Sequence, residues 1–171
     1  MLKGDKIRLR PVEPWDVDKL LEWENNHKNW RVSNTLVPFS KDIIMKYIEN
    51  AQDIFTVKQV RLIISELDSM NAIGSLDLFE FEPLHQRAGV GIMLEEGYRG
   101  KGYALEALKL VEEYVLNTIG IRNLYCNILE DNVESLKLFQ KAGYVQVGRK
   151  IKWFNDRVDW LDELMFQKQL V

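Results

Sequence analysis

The sequence of 171 residues has little cysteine and histidine, with one and two copies respectively. A single cysteine, Cys126, cannot form an internal disulfide, and two histidines cannot complete a Cys/His zinc site, so we expect no bound metal. It also lacks a charge excess, because 23 Lys and Arg stand against 26 Asp and Glu for a net charge of -3. Without a basic excess to neutralise phosphates, a nucleic-acid partner is not expected.

Long apolar runs are missing as well. No stretch approaches the ~20 apolar residues of a membrane-spanning helix, and no apolar region follows the charged N-terminal segment MLKGDKIRLRPVEP. We therefore expect no membrane contact, no secretory signal and a cytoplasmic location. What is present is typical of a globular protein: 46% hydrophobic and 11% aromatic residues, with no repeat or linker. This length suits a single domain over residues 1–171.

Hydrophobic periodicity predicts strands and helices in a mixed order. The runs predicted as strands are 6–10, 61–66, 73–81, 87–94, 123–129, 144–150 and 160–168. The runs predicted as helices are 13–23, 40–48, 103–116 and 132–142, with a loop between the first two. This order indicates an α+β fold around one mixed sheet.

The first chemical signal is a pair of glycines in the strand predicted over 87–94. Gly89 and Gly91 are two residues apart, so both omit a side chain on the same face of the sheet. Glycine inside a strand is typical of a bulge or of close approach by another backbone or a ligand.

The second signal is the turn after that strand. Gly100 and Gly102 lead directly into an amphipathic helix, which leaves unpaired N–H groups at the positive end of the helix dipole. Such a turn suits a phosphate or pyrophosphate, with Arg99 and Lys101 adding charge, although a plain tight turn is the alternative. It is not a Walker A loop, since no Ser or Thr follows Lys101, and the spacing GxxGxG is not the dinucleotide fingerprint GxGxxG.

Residues 97–104, GYRGKGYA, resemble the acetyl-CoA pyrophosphate loop, R/Q-x-x-G-x-G/A, of the GNAT N-acetyltransferases. A second signature of that family resembles residues 132–144, NVESLKLFQKAGY, and the likeness covers nearly the whole chain. The chain looks like the branch that holds bacterial polyamine acetyltransferases and ribosomal-protein N-terminal alanine acetyltransferases. Gly97 departs from the pattern, which prefers Gln or Arg.

The resemblance implies a single-domain GNAT fold whose mixed central sheet splays between its fourth and fifth strands. The pantetheine arm of acetyl-CoA would lie between those strands. The residues implied to contact acetyl-CoA are Ile92, Met93 and Leu94 for the arm, Arg99, Gly100, Lys101, Gly102, Tyr103 and Ala104 for the pyrophosphate, and Asn132 and Phe139 beside the arm. Asn132 has N-capping as an equal alternative, and Phe139 has plain core packing as the favoured one.

The implied activity is acetyl-CoA-dependent N-acetylation of a primary amine by direct transfer, with no metal. The acceptor is a polyamine or other small amine, or a peptide N-terminal α-amine, and the implied assembly is a homodimer or higher homo-oligomer. The alternative is an acyl-CoA-binding module with little or no catalysis. It is motivated by Gly89 and Phe139, where relatives often carry a glutamate and a tyrosine.

Ser135 is the candidate catalytic residue, because it matches a serine given that role in the ribosomal-protein branch. A first-turn helix residue without catalytic function is the alternative. The further candidate bases, acting through water, are Glu82, His85, Asp162 and Glu163.

The acceptor has its own signals in residues 26–40, which contain His27, Lys28 and Arg31 and no carboxylate. This composition argues mildly against a polycationic acceptor. The tryptophans that could wall an amine pocket, or serve in the core or an interface, are Trp23, Trp30, Trp153 and Trp160.

Overall fold

The computed structural model describes residues 2–50 and 53–171. The strands of these ranges are β1 (Leu2–Lys3), β2 (Ile7–Pro11), β3 (Val60–Glu66), β4 (Ala72–Glu82), β5 (Arg87–Leu94), β6 (Asn123–Leu129), β7 (Val145–Asn155) and β8 (Trp160–Gln169). The helices are α1 (Val17–Glu24), α2 (His27–Ser33), α3 (Lys41–Asn50), α4 (Ile54–Val57), α5 (Tyr103–Tyr114) and α6 (Val133–Lys141).

All of these strands join one mixed sheet in the order β1-β2-β3-β4-β5-β6-β8-β7. The β5–β6 pair is parallel and the other neighbouring pairs are antiparallel. The predicted α+β class is therefore confirmed. None of the described helices is long and apolar enough to cross a bilayer.

Each face of the sheet is covered by its own helices. On one face, α5 and α6 pack on a large apolar cluster that includes Leu108 and Leu124, both fully buried. On the other face, α1 and α3 pack on a smaller cluster around Leu20 and Ile63. Burial of both clusters removes apolar surface from water, which is the main stabilising term of such a layered fold.

The sheet opens between β5 and β6. Their paired residues are Arg87 with Asn123, Ala88 with Leu124 and Gly89 with Tyr125, after which the strands separate. From residue 90 to 94, β5 is paired with β4 alone among the described strands. The predicted splay between the fourth and fifth strands is thus confirmed, since the short β1 shifts their numbers to five and six.

The structure adds elements that periodicity did not indicate. The predicted loop after α1 contains α2, which has no buried residue and therefore no apolar pattern; Asn26 caps it and Asn34 ends it in the left-handed region. The helix predicted over 103–116 ends at Tyr114 and continues as a π-helical turn, Val115–Ile119.

A buried ion pair fastens α1 to β2. Arg10 donates from two guanidinium nitrogens to the two carboxylate oxygens of Asp16, both at 2.7 Å, and the two side chains are 4% and 3% exposed. Asp16 Oδ2 also accepts from the Glu13 backbone at 2.9 Å. Such a planar, two-bond contact holds the entry to α1 in one geometry.

Candidate active site

A cradle of free backbone amides lies between β5 and α5. Gly100 and Gly102 have positive φ angles of 74° and 87°, a region that glycine enters without strain. The backbone amides of residues 100–105 donate to no acceptor in the part of the chain that the structure describes. The first of them precede α5 and the last belong to its first turn, where intrahelical partners are absent. This geometry suits an anion.

Basic side chains surround the cradle. Arg99 donates from Nε to the Leu94 carbonyl at 3.2 Å, which tethers its guanidinium beside the turn. Lys101 holds its ammonium over the Tyr98 ring, 5.3 Å from the centroid. Lys6 reaches in from before β2 and donates to the Lys101 carbonyl at 3.2 Å. The turn therefore brings Arg99 and Lys101 together, and Lys6 is an additional cation beside them that the motif did not indicate.

The N-terminus of α6 faces the same region. Glu134, in its first turn, forms an ion pair with Arg99 at 3.4 Å. Asn132 caps the helix, because its Oδ1 accepts from the Ser135 backbone at 3.3 Å. Its amide NH2 makes no hydrogen bond among the described residues, so capping leaves Asn132 a donor for a ligand. Asp131 is held by Arg31 at 2.6 Å.

The two remaining candidates on α6 differ in exposure. Ser135 is half-buried in the first turn, at the end that faces the Arg99 loop. Phe139 is only 3% exposed and packs edge-on against Tyr144 with ring centroids 5.0 Å apart. The structure therefore places Phe139 in the core, and its contact with acetyl-CoA stays a prediction.

The arm-binding candidates lie where the sheet opens. Ile92, Met93 and Leu94 are hydrogen-bonded to β4 on one edge, opposite Leu76, Ser75 and Gly74, and face the gap with the other. Ile92 packs on the α5 side of the sheet and Met93 on the α1 side. Both faces of this strand are thus covered while one backbone edge remains open, as an added extended chain requires.

The vertex of the gap is built from aromatic rings. Phe79 lies directly opposite Gly89 across β4 and β5, and a Cβ on Gly89 would overlap its ring. A Cβ on Gly91 would meet the same ring only at an ordinary 3.8 Å. Phe79 also meets Tyr125 edge-on, with centroids 6.0 Å apart. Gly89 thus accommodates a neighbouring side chain of the protein, where its pattern indicated a backbone or a ligand.

The Tyr125 hydroxyl donates a hydrogen bond to Glu80 Oε2 in this region. Glu80 sits where the β4–β5 register shifts and has a φ of 47°, so a bulge in the left-handed region aims its carboxylate. Burial, and then the Glu80 carboxylate, raise the pKa of Tyr125 well above its ordinary range, although Arg87 opposes the shift.

A recess of about 650 Å³ opens beside this pair. It lies on the α1 side of the sheet, because Tyr125 and Asn127 alternate along β6 with the buried Cys126 of the α5 side. Its charged lining residues are Lys58, Glu80, Glu82, Arg87 and Lys150. Both signs of charge therefore meet in one cavity.

The other candidate bases fall into different places. Asp162 accepts from the Lys152 backbone at 2.7 Å and from Arg149, contacts that lower its pKa and occupy both oxygens. Glu163 is paired with Lys150 at 2.7 Å. Glu82 lines the recess, and His85 lies exposed in the turn between β4 and β5. Among these four, Glu82 alone faces the recess, and its carboxylate has no hydrogen-bond or ion-pair partner among the described residues.

The predicted aromatic wall does not form as one group. Trp23 is a buried residue of α1 and donates its indole N–H to Glu95 at 2.9 Å. Trp30 donates to the Glu24 carbonyl at 2.7 Å. Trp153 and Trp160 are 61% and 56% exposed on the β7–β8 hairpin.

Sequence reasoning missed Phe79 and Tyr125. The available signal was Gly89 itself, since a glycine within a sheet is commonly covered by an aromatic on a neighbouring strand. Among the described residues, no group of three or more His, Cys, Asp or Glu side chains is arranged as metal ligands.

Two N-acetyltransferases are similar to this chain in sequence at modest identity. The spermidine N(1)-acetyltransferase of Escherichia coli (strain K12) is 26% identical over 159 residues, covering 90% of this chain and 81% of that protein. The probable N-acetyltransferase YjcK of Bacillus subtilis (strain 168) is 24% identical over 166 residues, covering 86% and 85%.

Solved structures share the fold. The spermidine N-acetyltransferase of Vibrio cholerae in complex with CoA and spermine superposes with a TM-score of 0.84 at 20% identity, over 98% of this chain and 97% of that one. The sequence model of the acetyltransferase (GNAT) domain matches residues 6–145. With the amide cradle and the splayed strands, this match shows that the chain belongs to the GNAT acetyltransferase family and is an N-acetyltransferase.

Proposed function

We propose that the protein transfers the acetyl group of acetyl-CoA directly to a primary amine. The observation that carries this proposal is the continuity between the free amides of residues 100–105 and the open edge of β5. The free amides suit the pyrophosphate of acetyl-CoA, and the open strand edge suits its extended, amide-bearing pantetheine arm. These are two parts of one ligand. The CoA complex of the Vibrio cholerae neighbour supports the same donor.

Each group of residues has a distinct task in this proposal. The amides from Gly100 to Ala104, with Arg99 and Lys101, hold the pyrophosphate. Ile92, Met93 and Leu94 bond the arm through their backbones, and the Asn132 amide donates to it. An N–H on the open edge of β5 polarises the thioester carbonyl, an oxyanion contact that requires no particular side chain.

The nature of the amine decides how much help the protein must give. A lysine-like or polyamine nitrogen, with a pKa of about 10.4, costs roughly 4.6 kcal/mol to deprotonate at pH 7. A peptide α-amine, with a pKa of about 7.7–8.0, costs only about 1–1.4 kcal/mol. An acceptor of lower pKa is therefore easier for a site with few bases.

The acceptor recess favours such an amine over a polycation. Lys58, Arg87 and Lys150 contribute positive charge to the same cavity as Glu80 and Glu82. Lys28 and Arg31 of α2 do not line this recess and are paired with Glu96 and Asp131 at 3.2 and 2.6 Å. We therefore propose a small amine or peptide N-terminus of low pKa, with a polyamine, the substrate in the Escherichia coli relative's name, as the alternative.

The proposal also covers the extent and assembly of the protein. Residues 146–171 lie beyond the family match but pair into the sheet through β8, so we include them in one domain over 1–171. A homo-oligomer is supported by exposed apolar side chains on the edge strand β7, among them Val147, Ile151 and Trp153. The cytoplasmic location is part of the same proposal.

Thiol release tests this function directly. The protein is incubated with acetyl-CoA and, separately, spermidine, small amines, and peptides ending in alanine or serine. We expect amine-dependent release of CoA thiol, fastest with the acceptors of lowest pKa. Acetyl-CoA binding without release from any amine would favour the acyl-CoA-binding module instead. Replacement S135A should lower kcat by only about tenfold or less if the serine orients a water.

A further inference from the structure

We infer that Glu80 and Tyr125 act as a coupled proton-handling pair for the transfer, with Glu80 accepting the proton from the amine and Tyr125 supplying the proton to the departing sulfur. This inference rests on the proposed function. It assigns acid and base roles to residues on β4 and β6, in a chain whose Gly89 and Phe139 carry no titratable group.

The position of the pair is the first support. Tyr125 is the β6 residue paired with Gly89, the last pair before the strands separate. Its backbone is therefore at the closed end of the gap whose open edge would take the pantetheine arm, and its hydroxyl reaches Glu80. The recess on the α1 side includes both Tyr125 and Glu80 in its lining. The pair thus lines the recess proposed for the acceptor and lies next to the last paired residues of β5 and β6.

The backbone is the second support. Glu80 adopts a φ of 47°, in the left-handed region that a residue with a side chain enters only at a cost in free energy. The strand returns to its ladder at Glu82, where it pairs with Arg87. Without the bulge, strict alternation would place Glu80 on the face opposite Phe79, toward α5, and away from Tyr125. The strained turn is what aims the carboxylate at the phenol.

The aromatic packing is the third support. Phe79 fills the space above Gly89 and meets the Tyr125 ring edge-on. Contact with a rigid neighbour restricts the ring of Tyr125, so its hydroxyl is held toward Glu80. Phe79 is in this sense a positioning residue.

The charges that face the pair come from several elements. Lys58 lies before β3, Glu82 on β4, Arg87 on β5 and Lys150 on β7. Burial and the Glu80 carboxylate raise the pKa of Tyr125, so the phenol keeps its proton at neutral pH. An ionised acceptor beside a protonated donor is the state that such a relay needs.

The two residues together account for every proton that the reaction moves. As the nitrogen–carbon bond forms, Glu80 accepts the proton that the nitrogen loses. As the carbon–sulfur bond breaks, Tyr125 donates its hydroxyl proton to the sulfur. Glu80 then returns the accepted proton to Tyr125 through their hydrogen bond, so both residues end as they began. The products are the amide and the thiol, and no co-reactant is needed.

The test uses Y125F and E80Q, with Y114F and E113Q on α5 as matched controls remote from the recess. The first readout is the absorbance titration of tyrosine, which needs no ligand. The titration step of Tyr125 is the one that disappears in Y125F. We expect this step to lie above the ordinary tyrosine pKa of about 10 and to move to lower pH in E80Q. An unchanged position in E80Q would overturn the coupling.

The second readout is the pH profile of acetylation together with the melting-point shift caused by CoA. We expect Y125F and E80Q to lower kcat by about 100-fold or more while the CoA shift stays as in the unsubstituted protein. Normal kcat and an unchanged pH profile in both variants, beside an active unsubstituted protein, would overturn this inference alone. No thiol release from the unsubstituted protein would instead overturn the proposed function and this inference with it.

Discussion

Phe79 covers Gly89 across the β4–β5 ladder, at the position where β5 begins to leave β6. The ring occupies the volume in which a side chain at residue 89 would lie, and its edge supports Tyr125. A carboxylate at residue 89 is therefore excluded by packing. The pair explains in physical terms why this chain has glycine at residue 89, where the family resemblance led us to expect a glutamate.

Replacing Gly89 by alanine should destabilise the protein by about 1–3 kcal/mol, because the added Cβ would force the Phe79 ring aside. Urea unfolding measures the change. The matched control is G91A, whose Cβ would meet that ring at 3.8 Å and should change stability by less than about 0.5 kcal/mol. In the double variant G89A/F79A the loss should be smaller than the sum of the single losses. Strict additivity would contradict the proposed overlap.

Acetyl-CoA should raise the melting temperature, and G100V should abolish the rise. A ligand at 100 times its dissociation constant adds about 2.7 kcal/mol, or roughly 5–10 °C for a domain of this size. NADH and ATP should give no comparable shift. The control is G120V, since Gly120 shares a positive φ of 82° and an open Cβ environment but lies past α5. A shift that survives G100V would count against the amide cradle.

Removing Asp16 should strongly destabilise the fold. The variant D16A leaves the Arg10 guanidinium buried without its two-bond partner, a loss on the order of 3–5 kcal/mol. The exposed pair of Asp18 with Lys41, also 2.7 Å long, provides the comparison. D18A should change the free energy of unfolding by no more than about 1 kcal/mol. Equal losses in the free energy of unfolding, measured in urea for D16A and D18A, would contradict the larger contribution of the buried pair.

Alkaline pH should weaken the fold partly through Cys126. Burial raises the pKa of its thiol from 9.0 to about 12, so the folded state retains a proton that the unfolded chain releases. The contribution to stability is complete below pH 9 and is lost as pH rises from 9 towards 12. C126A should therefore be less stable at neutral pH but lose stability less steeply in this window. Parallel pH curves would show that Cys126 does not titrate there.

Local patterns in the sequence predicted the parts of the site that depend on adjacent residues. Gly100, Gly102 and the start of α5 lie within one short segment, so their spacing was enough to predict a turn with free backbone amides before the helix. The splay of the strands was predicted from the resemblance of this segment to the GNAT family. Phe139 lies in the core, as the favoured interpretation of its motif predicted, and its contact with acetyl-CoA stays a prediction.

Contacts between distant residues could not be predicted in this way. Glu80 and Tyr125 are 45 positions apart in the sequence, and their contact depends on a β-bulge that hydrophobic periodicity does not predict. Asp162, predicted as a possible base, is instead occupied by Arg149 and the Lys152 backbone, partners that only hairpin pairing brings near. Helix α2 was not predicted because none of its residues is buried, so its sequence has no apolar periodicity.

The most direct test of the central claim is the stoichiometry of acetyl transfer to a primary amine. Thiol release and mass-detected acetylated amine are measured together across pH 7–9, with a peptide α-amine and spermidine as acceptors. We predict one acetylated amine for each thiol released, no release without amine, and a kcat/KM that rises with the free-amine fraction and is higher for the peptide. Thiol release that is independent of amine, or none with any acceptor, would contradict the account.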